Sequence, residues 1–540
     1  MVLHRCWKGR LVLLEQSLHI FVTSDIHGNV LPITYGNNQK ADLGLAKAAA
    51  LITEKREEHK NCIVIDNGDL IQGTPLTYHY ARIGEESMNP MVLLLNELKF
   101  DAAVIGNHEF NYGLPLLQKT VSESQFPWLS ANIIWEKSGE PIFGQPYVIK
   151  TFDSGLKAAV LGLTTHYIPN WENPEHIAGI TFLDAVETAN RYVPLLKEQA
   201  DVVIVSYHGG FERDLETGEP TEALTEENQG YRLCMEVEGI DVLLTGHQHR
   251  LIEDKEINGV ALIQPGTQGN AVGHVEITVR NRKDRWEITH KKSANLSTKG
   301  YDAHEHVLRL ISPYEERAQK WLDQPIGVIE GDMEITNSME TRLRDNPLIE
   351  FINKVQMDAA GVDISSTALF DNKSKGFSSN VTMRDIVSNY IYPNTLKVIE
   401  ITGKDMREAL ERSAAYFMVN KDGKVSVNPA FSVPKPQHYN YDMWEGISYT
   451  IDLSRPIGER ITELSYKDQE VKDSQVYNVV MNNYRAGGGG DYLMFKGKKV
   501  IKDIPIDVSE LMANYMLKRG IIKATCDHNW RVKVPSSIKN

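Results

Sequence analysis

Five short polar loops, each entered directly from an apolar run, constrain this chain more than any other feature. They are Asp25-Ile26-His27-Gly28, Asn67-Gly68-Asp69, Gly106-Asn107-His108-Glu109, Tyr207-His208-Gly209-Gly210 and Gly246-His247-Gln248-His249. The runs ahead of them, residues 18–24, 62–66, 102–105, 202–206 and 242–245, are short and mostly rich in Val, Ile and Leu, as buried strands are. A sixth run of the same kind spans 158–163, and residues 41–59 and 184–199 read as amphipathic helices. Strand alternating with helix predicts a layered α/β domain, in which reactive loops gather past the C-terminal ends of the strands. Any one of these loops alone reads as solvated polarity. Five of them in order, each on a strand exit, predict a site.

The residue types narrow its chemistry. Imidazole nitrogens with carboxylate and amide oxygens, and no thiolate, suit Zn, Mn, Fe or Co in a reactive site and not a structural zinc. Seven such side chains are too many for one ion with open positions. Two divalent ions about 3.5–4 Å apart, sharing one carboxylate, are the economical arrangement. The four cysteines, Cys6, Cys62, Cys234 and Cys526, are far apart and form no CxxC, which argues against both a disulfide scaffold and a thiolate site.

At 540 residues the chain exceeds a single core, so two large domains are expected. A net charge of −14 with no basic stripe argues against a polymeric nucleic acid partner. It does not argue against small anions beside bound cations. The apolar run at 11–14 stops after four residues, and no run approaches the roughly 20 needed to span a membrane. A cytoplasmic location without membrane association is therefore expected, with 1–17 as a loose extension. The charged helical stretch 303–324, ending at Pro325, reads as a linker (301–325) between a first domain of 18–300 and a second of 326–540. Helices are predicted there at 347–360 and 403–417. Oligomeric state leaves no mark on the sequence.

The ordered loops resemble the calcineurin-like metallophosphoesterases over roughly residues 18–280. That resemblance implies an α/β/β/α catalytic domain with Asp25, His27 and His249 on one ion, Asn107, His208 and His247 on the other, and Asp69 bridging. His108 would stand off the metals beside the scissile phosphate, with Asn107 helping to hold its charge. Gly106-Asn107-His108-Glu109-Phe110 followed by a large second domain resembles the 5′-nucleotidase branch, whose α/β second domain binds the nucleotide and stacks its base between two aromatic rings. Asn482-Asn483-Tyr484-Arg485-Ala486, followed by four glycines and Asp491-Tyr492, resembles that branch's Asn-aromatic-x-Ala-Gly-Gly-Asp segment. Tyr484 would then be one ring and Asp491 would face the ribose hydroxyls. The segment from Tyr439 to Gly446 resembles the one carrying the other ring. Spacing to Gly446 selects Tyr441, with Tyr439 in reserve.

Two departures are informative. Asn111 stands where the nucleotidases have an Asp three positions after the catalytic His, and would orient His108 as an amide. Ala368-Leu369-Phe370-Asp371-Asn372 replaces their Asn-Gly-Gly-Gly-x-Arg phosphate segment. Both are similar to the 2′,3′-cyclic-nucleotide 2′-phosphodiesterase/3′-nucleotidase group. The resemblance implies a two-metal hydrolase with small nucleotides as substrates, opening 2′,3′-cyclic nucleotides to 3′-nucleotides and dephosphorylating these. The competing readings are a 5′-nucleotidase or nucleotide-sugar diphosphatase, and a nucleotide-binding protein with a vestigial metal site. The complete ligand set weighs against the last.

Overall fold

The structure, a computed structural model, describes residues 15–534 except 36–37, 85–86, 171, 222–223, 283–284, 393, 421, 434 and 505. Its first strand, β1 (Glu15–Thr23), illustrates how the core is built. Leu18, Ile20 and Val22 point into one apolar cluster and Phe21 into another, the period-two alternation of a strand buried on both faces. β1 continues a series of β2 (Cys62–Asp66), β3 (Ala102–Val104), β4 (Trp128–Leu129), β5 (Tyr147–Thr151), β6 (Lys157–Thr164), β7 (Val202–His208) and β8 (Val242–Thr245). The domain's last strands are β9 (Leu251–Ile257), β10 (Val260–Pro265), β11 (Ala271–Arg282) and β12 (Arg285–Ser297).

Two six-stranded sheets result, in the orders β12-β11-β1-β2-β3-β4 and β9-β10-β8-β7-β6-β5. Their inner faces meet through Ile20, Val22, Ile63 and Ile65 from the first, and Val160, Ile204, Leu244 and Ile263 from the second. On the outside, Val203 and Val205 pack against helix α2 (Ala185–Gln199), whose N-cap Asp184 accepts from the Glu187 N–H at 2.8 Å. Helix α1 (Leu45–Glu58) covers the outer face of the first sheet. The layering is α/β/β/α. β1, β2 and β3 run parallel, as do β6, β7 and β8, so the exits within each set share one edge of the sandwich.

Residues 15–17, expected in a loose extension, instead open β1 and pair with β11 (Glu15 opposite Arg280). Residues 1–14, with Cys6 and the apolar run at 11–14, lie outside the described residues. Helix α3 (Glu305–Leu322) covers the stretch read as a linker, but it is packed and not free-standing. Val307, Ile311 and Leu322 enter the same cluster as α1 and Phe21, and buried Glu315 accepts from the Tyr35 hydroxyl.

The second domain is also α/β. Helix α4 (Pro347–Ala360) is capped by Asn346, which accepts from the Leu348 N–H at 2.9 Å, and stops at Gly361, whose φ of 74° is the left-handed C-cap conformation. Helix α5 (Gly403–Ala414) starts on a capping box of Thr402 and Asp405. They flank a five-stranded sheet of β13 (Ser365–Ala368), β14 (Leu396–Thr402), β15 (Asp442–Glu445), β16 (Val476–Asn482) and β17 (Val500–Ile504), ordered β15-β13-β16-β14-β17. Arg82 with Asp507 (3.0 Å) and Arg384 with Tyr35 O (2.7 Å) tie the two domains together. Among the described residues no helix is long and apolar enough to cross a membrane.

Candidate active site

The strand exits bring all seven proposed ligands to one place. Asp25 and His27 follow β1, Asp69 follows β2, Asn107 follows β3, His208 ends β7, and His247 and His249 follow β8. Both sheets therefore contribute. Five of these residues hold left-handed backbone, with φ of 53° at Asp25, 50° at His27, 56° at Asp69, 65° at His247 and 57° at His249. Each such residue costs on the order of 1–3 kcal/mol, and such strain clusters where a chain must aim side chains at a common point. Gly106 is required here as well, because a Cβ on it would stand 2.4 Å from Asp69 Oδ1.

Two groups of donors form, Asp25 with His27 and His249, and Asp69 with His208 and His247. His27 Nε2 lies 3.1 Å from His249 Nε2, which is 3.4 Å from Asp25 Oδ1. His208 Nε2 lies 3.1 Å from Asp69 Oδ2 and 3.2 Å from Asn107 Oδ1, and His247 Nδ1 lies 2.9 Å from the same amide oxygen. Asp69 Oδ2 also reaches to 3.9 Å from His27 Nε2, so this carboxylate stands between the groups.

The other nitrogens of three rings donate outward: His27 Nδ1 to Gln72 O (3.1 Å), His208 Nδ1 to Asn67 O (2.6 Å) and His247 Nε2 to Glu227 (2.9 Å). In neutral rings the inward nitrogens are then lone pairs facing carboxylate and amide oxygens. Acceptors facing acceptors are repulsive unless a cation sits among them, and the donor set thus fits divalent metal ions. Burial works to raise the Asp25 carboxyl, yet His249 beside it holds it down at about 2. Burial likewise opposes charge on His208, but Asp69 carries that ring up to about 10. A divalent ion competes with that proton, so metal uptake here is coupled to proton release.

His108 belongs to neither donor group but borders both, its ring edge-on to His27 with centroids 5.2 Å apart, its Nε2 3.9 Å from Asp69 Oδ2 and its Nδ1 2.6 Å from Asn111 Oδ1. Three acidic side chains that the sequence does not mark as functional surround the centre. Glu109 is fully buried and accepts from the backbone N–H groups of Gly106, Asp69, Leu70 and Ile71, at 2.6 to 3.3 Å, which fixes the Asp69 loop. Glu227 holds His247, and Glu172 holds Asn111 at 2.6 Å. Glu109 is legible in hindsight because it sits inside a loop motif. Glu172 and Glu227 lie in long loops with no local signal.

A cleft of about 1270 Å³ between the domains is lined by the centre, including His27, Asp69, Asn107, His108 and His247, and by the second domain. Tyr439 and Tyr484 line it, their centroids 6.3 Å apart and their planes at 74°. Tyr441 does not. It is fully buried in the second domain's core, packed on Tyr416 and Phe417, with its hydroxyl donating to Arg342 O at 2.8 Å. Tyr441, chosen from the sequence as a stacking ring, is thus a core residue, and of the two candidates only the reserve, Tyr439, faces the cleft. Asp491 also lines the cleft, but Arg412 holds its carboxylate at 3.0 Å. Gly489 lies against the Tyr484 ring, where a Cβ would come within 2.5 Å of Cζ, and this close approach accounts for one glycine of the run. Arg485 anchors the segment through a buried fork on Asp442 (2.8 and 3.0 Å). Lys435, also unassigned from the sequence, enters the cleft from the second domain with Nζ 3.4 Å from His247 O.

Residues 18–251 match the calcineurin-like phosphoesterase family, and residues 325–497 match the 5′-nucleotidase C-terminal domain. A Bacillus subtilis protein described as a trifunctional nucleotide phosphoesterase is 28% identical over 95% of this chain, which spans 39% of that protein's length. A Yersinia enterocolitica 2′,3′-cyclic-nucleotide 2′-phosphodiesterase/3′-nucleotidase is 28% identical over 96% of this chain and 88% of its own. A Staphylococcus aureus protein described as a candidate 5′-nucleotidase, solved with alpha-ketoglutarate, is 37% identical. It superposes with a TM-score of 0.87, covering 96% of this chain and all of that one.

Proposed function

We propose that this chain, which belongs to the calcineurin-like phosphoesterases of the two-domain 5′-nucleotidase type, opens 2′,3′-cyclic nucleotides to 3′-nucleotides and then removes the remaining phosphate. Hydrolysis of nucleotide phosphate esters follows from the family. The choice of ester rests on one observation about the second domain. Where the 5′-nucleotidases resembled above carry an arginine for the phosphate, this chain has Ala368–Asn372, and the guanidinium behind that segment is turned inward. Arg342 is 1% exposed and donates to Leu369 O, Asp371 O and Asn372 Oδ1. A terminal 5′-phosphate thus lacks that arginine fork, while Lys435 leaves a point charge close to His247.

The contacts in the first domain support a division of labour. When bound, a pair of divalent ions supplies Lewis-acid polarisation of the phosphoryl oxygens and a water acidic enough to attack near neutral pH. Asp25, His27, Asp69, Asn107, His208, His247 and His249 would hold that pair. His108 is free of this duty and within reach of the same space, which suits protonation of the leaving ribose oxygen. Asn111 accepts from its Nδ1 and orients the ring. Assay of 2′,3′-cyclic, 3′- and 5′-nucleotides with Mn, Zn, Mg and chelator tests the reading. Cyclic and 3′-substrates are expected to have the highest kcat/KM, with activity lost to chelator. Preference for 5′-nucleotides by tenfold or more would overturn it in favour of a 5′-nucleotidase, the reading that the Staphylococcus aureus relative's description favours.

Base recognition we assign to Tyr439 and Tyr484. Their planes are far from parallel, so a base lying flat on one meets the edge of the other until a ring turns. Tyr439→Ala or Tyr484→Ala is expected to lose roughly 1–3 kcal/mol of base binding, read as raised KM with kcat nearly kept. Hydrolysis of a small diester without a base should be unchanged. Tyr441→Ala is expected to behave in the opposite way, lowering Tm through loss of about 3–5 kcal/mol of core packing and leaving KM for nucleotides near wild type. Equal KM effects from all three variants would remove the distinction between cleft and core.

A further inference from the structure

Glu172 lies in the loop after β6, is 5% exposed, and belongs to none of the five loop motifs. Its Oε2 accepts from Asn111 Nδ2 at 2.6 Å, and its Oε1 accepts from the Asn173 N–H at 2.8 Å and stands 2.9 Å from His176 Nδ1. An ionised carboxylate has no hydrogen to give, so the NH₂ end of the Asn111 amide must face Glu172. The carbonyl end then faces His108 Nδ1, 2.6 Å away, and that nitrogen must carry its hydrogen. The direction of the hydrogen bond at His108 is thus decided one residue further out, by a carboxylate on the cleft wall that has no contact with the His108 ring itself.

We propose that Glu172 is a positioning residue for proton delivery by His108, acting by locking the orientation of the Asn111 amide. The proposal rests on the reading of His108 as the group beside the leaving oxygen. In that step the proton on Nε2 passes to the leaving ribose oxygen as its bond to phosphorus breaks. The ring is left neutral, with its remaining hydrogen on Nδ1. That hydrogen needs an acceptor. With the amide turned over, an NH₂ group faces Nδ1, the hydrogen has nowhere to go, and delivery from Nε2 is blocked. An aspartate at position 111 would need no such lock, because both of its oxygens accept. An asparagine there does need one, and Glu172 supplies it.

The test uses the full-length metal-loaded enzyme. Glu172→Gln keeps the shape, but the new side chain's oxygen is claimed by the Asn173 N–H, which leaves its NH₂ toward Asn111 and turns the amide. The expected result is a kcat roughly 10–100-fold lower on a nucleotide, part of the 10²–10⁴-fold typical of general acid catalysis. KM, Tm and metal content should be unchanged. On a nitrophenyl ester, whose leaving group needs no proton, the loss should stay under about 3-fold. The double variant Glu172→Gln with Asn111→Asp restores an acceptor for Nδ1 and one for the introduced amide, and should recover most of the lost kcat. Equal losses on both esters, or failure of the double variant to recover, would assign Glu172 to loop structure alone. If His108→Ala loses rate on nucleotides while Glu172→Gln does not, the positioning role fails and the His108 reading stands. If His108→Ala leaves nucleotide turnover intact, both fail.

Discussion

Asp69→Asn is expected to abolish turnover and to strip metal from both halves of the centre. The side chain is 1% exposed and has no freedom to adapt. Its Oδ1 accepts from the His108 N–H at 2.8 Å and is hemmed in by Gly106, while Oδ2 faces His208 at 3.1 Å, with His27 and His108 at 3.9 Å. An amide must present its NH₂ to one of these sides. Toward His108 N it sets donor against donor, and toward His208 it sets donor hydrogens where a cation would sit. The substitution also removes the one charge placed to serve two ions, and losing a ligand hurts more where the remaining acceptors repel one another. Elemental analysis should find well under half the wild-type metal, with kcat down by more than about 10³-fold, the scale at which losing charge stabilisation stops phosphoryl transfer. Wild-type metal content with activity intact would remove Asp69 from the bridging position.

His108→Ala is expected to separate chemistry from metal binding. The ring's contacts run to Asn111, to Asp69 at 3.9 Å and edge-on to the His27 ring, and it belongs to neither donor group. Both ions should therefore remain while kcat on nucleotides falls by about 10²–10⁴-fold. The loss should shrink on an ester with a good leaving group, since a proton matters least where the leaving oxygen is already stable. A metal-depleted variant would instead place His108 among the ligands.

The strands and their exits were legible because both signals are local. A run such as Cys62–Asp66 is apolar on both faces wherever it ends up, and the Asp, Asn and His residues after each run mark the place where buried strand gives way to loop. The order of the loops along the chain was enough to propose a donor set. Left-handed backbone at Asp25, His27, Asp69, His247 and His249 was not visible, but residue type hinted at it, since Asp and His tolerate that conformation better than branched residues do.

What the sequence left open depends on phase and on distant partners. Tyr439 and Tyr441 are two residues apart in one segment, and composition does not distinguish them. The choice is made where β15 pairs with β13, Asp442 opposite Ala368, which turns Tyr441 under Arg342 and leaves Tyr439 in the turn facing the cleft. Helix α3 reads as a charged linker because its apolar stripe is narrow. Only its seat against the first domain's helices, α1 among them, makes Val307, Ile311 and Leu322 part of that domain's core. Glu172 and Glu227 are carboxylates in loops, indistinguishable in one dimension from solvated surface. Chain composition and order determined which groups could bind metal and where strands end. Which carboxylate orients which ring was decided only by tertiary structure, because a hydrogen bond's direction depends on partners 61 residues away at Asn111 and 20 away at His247.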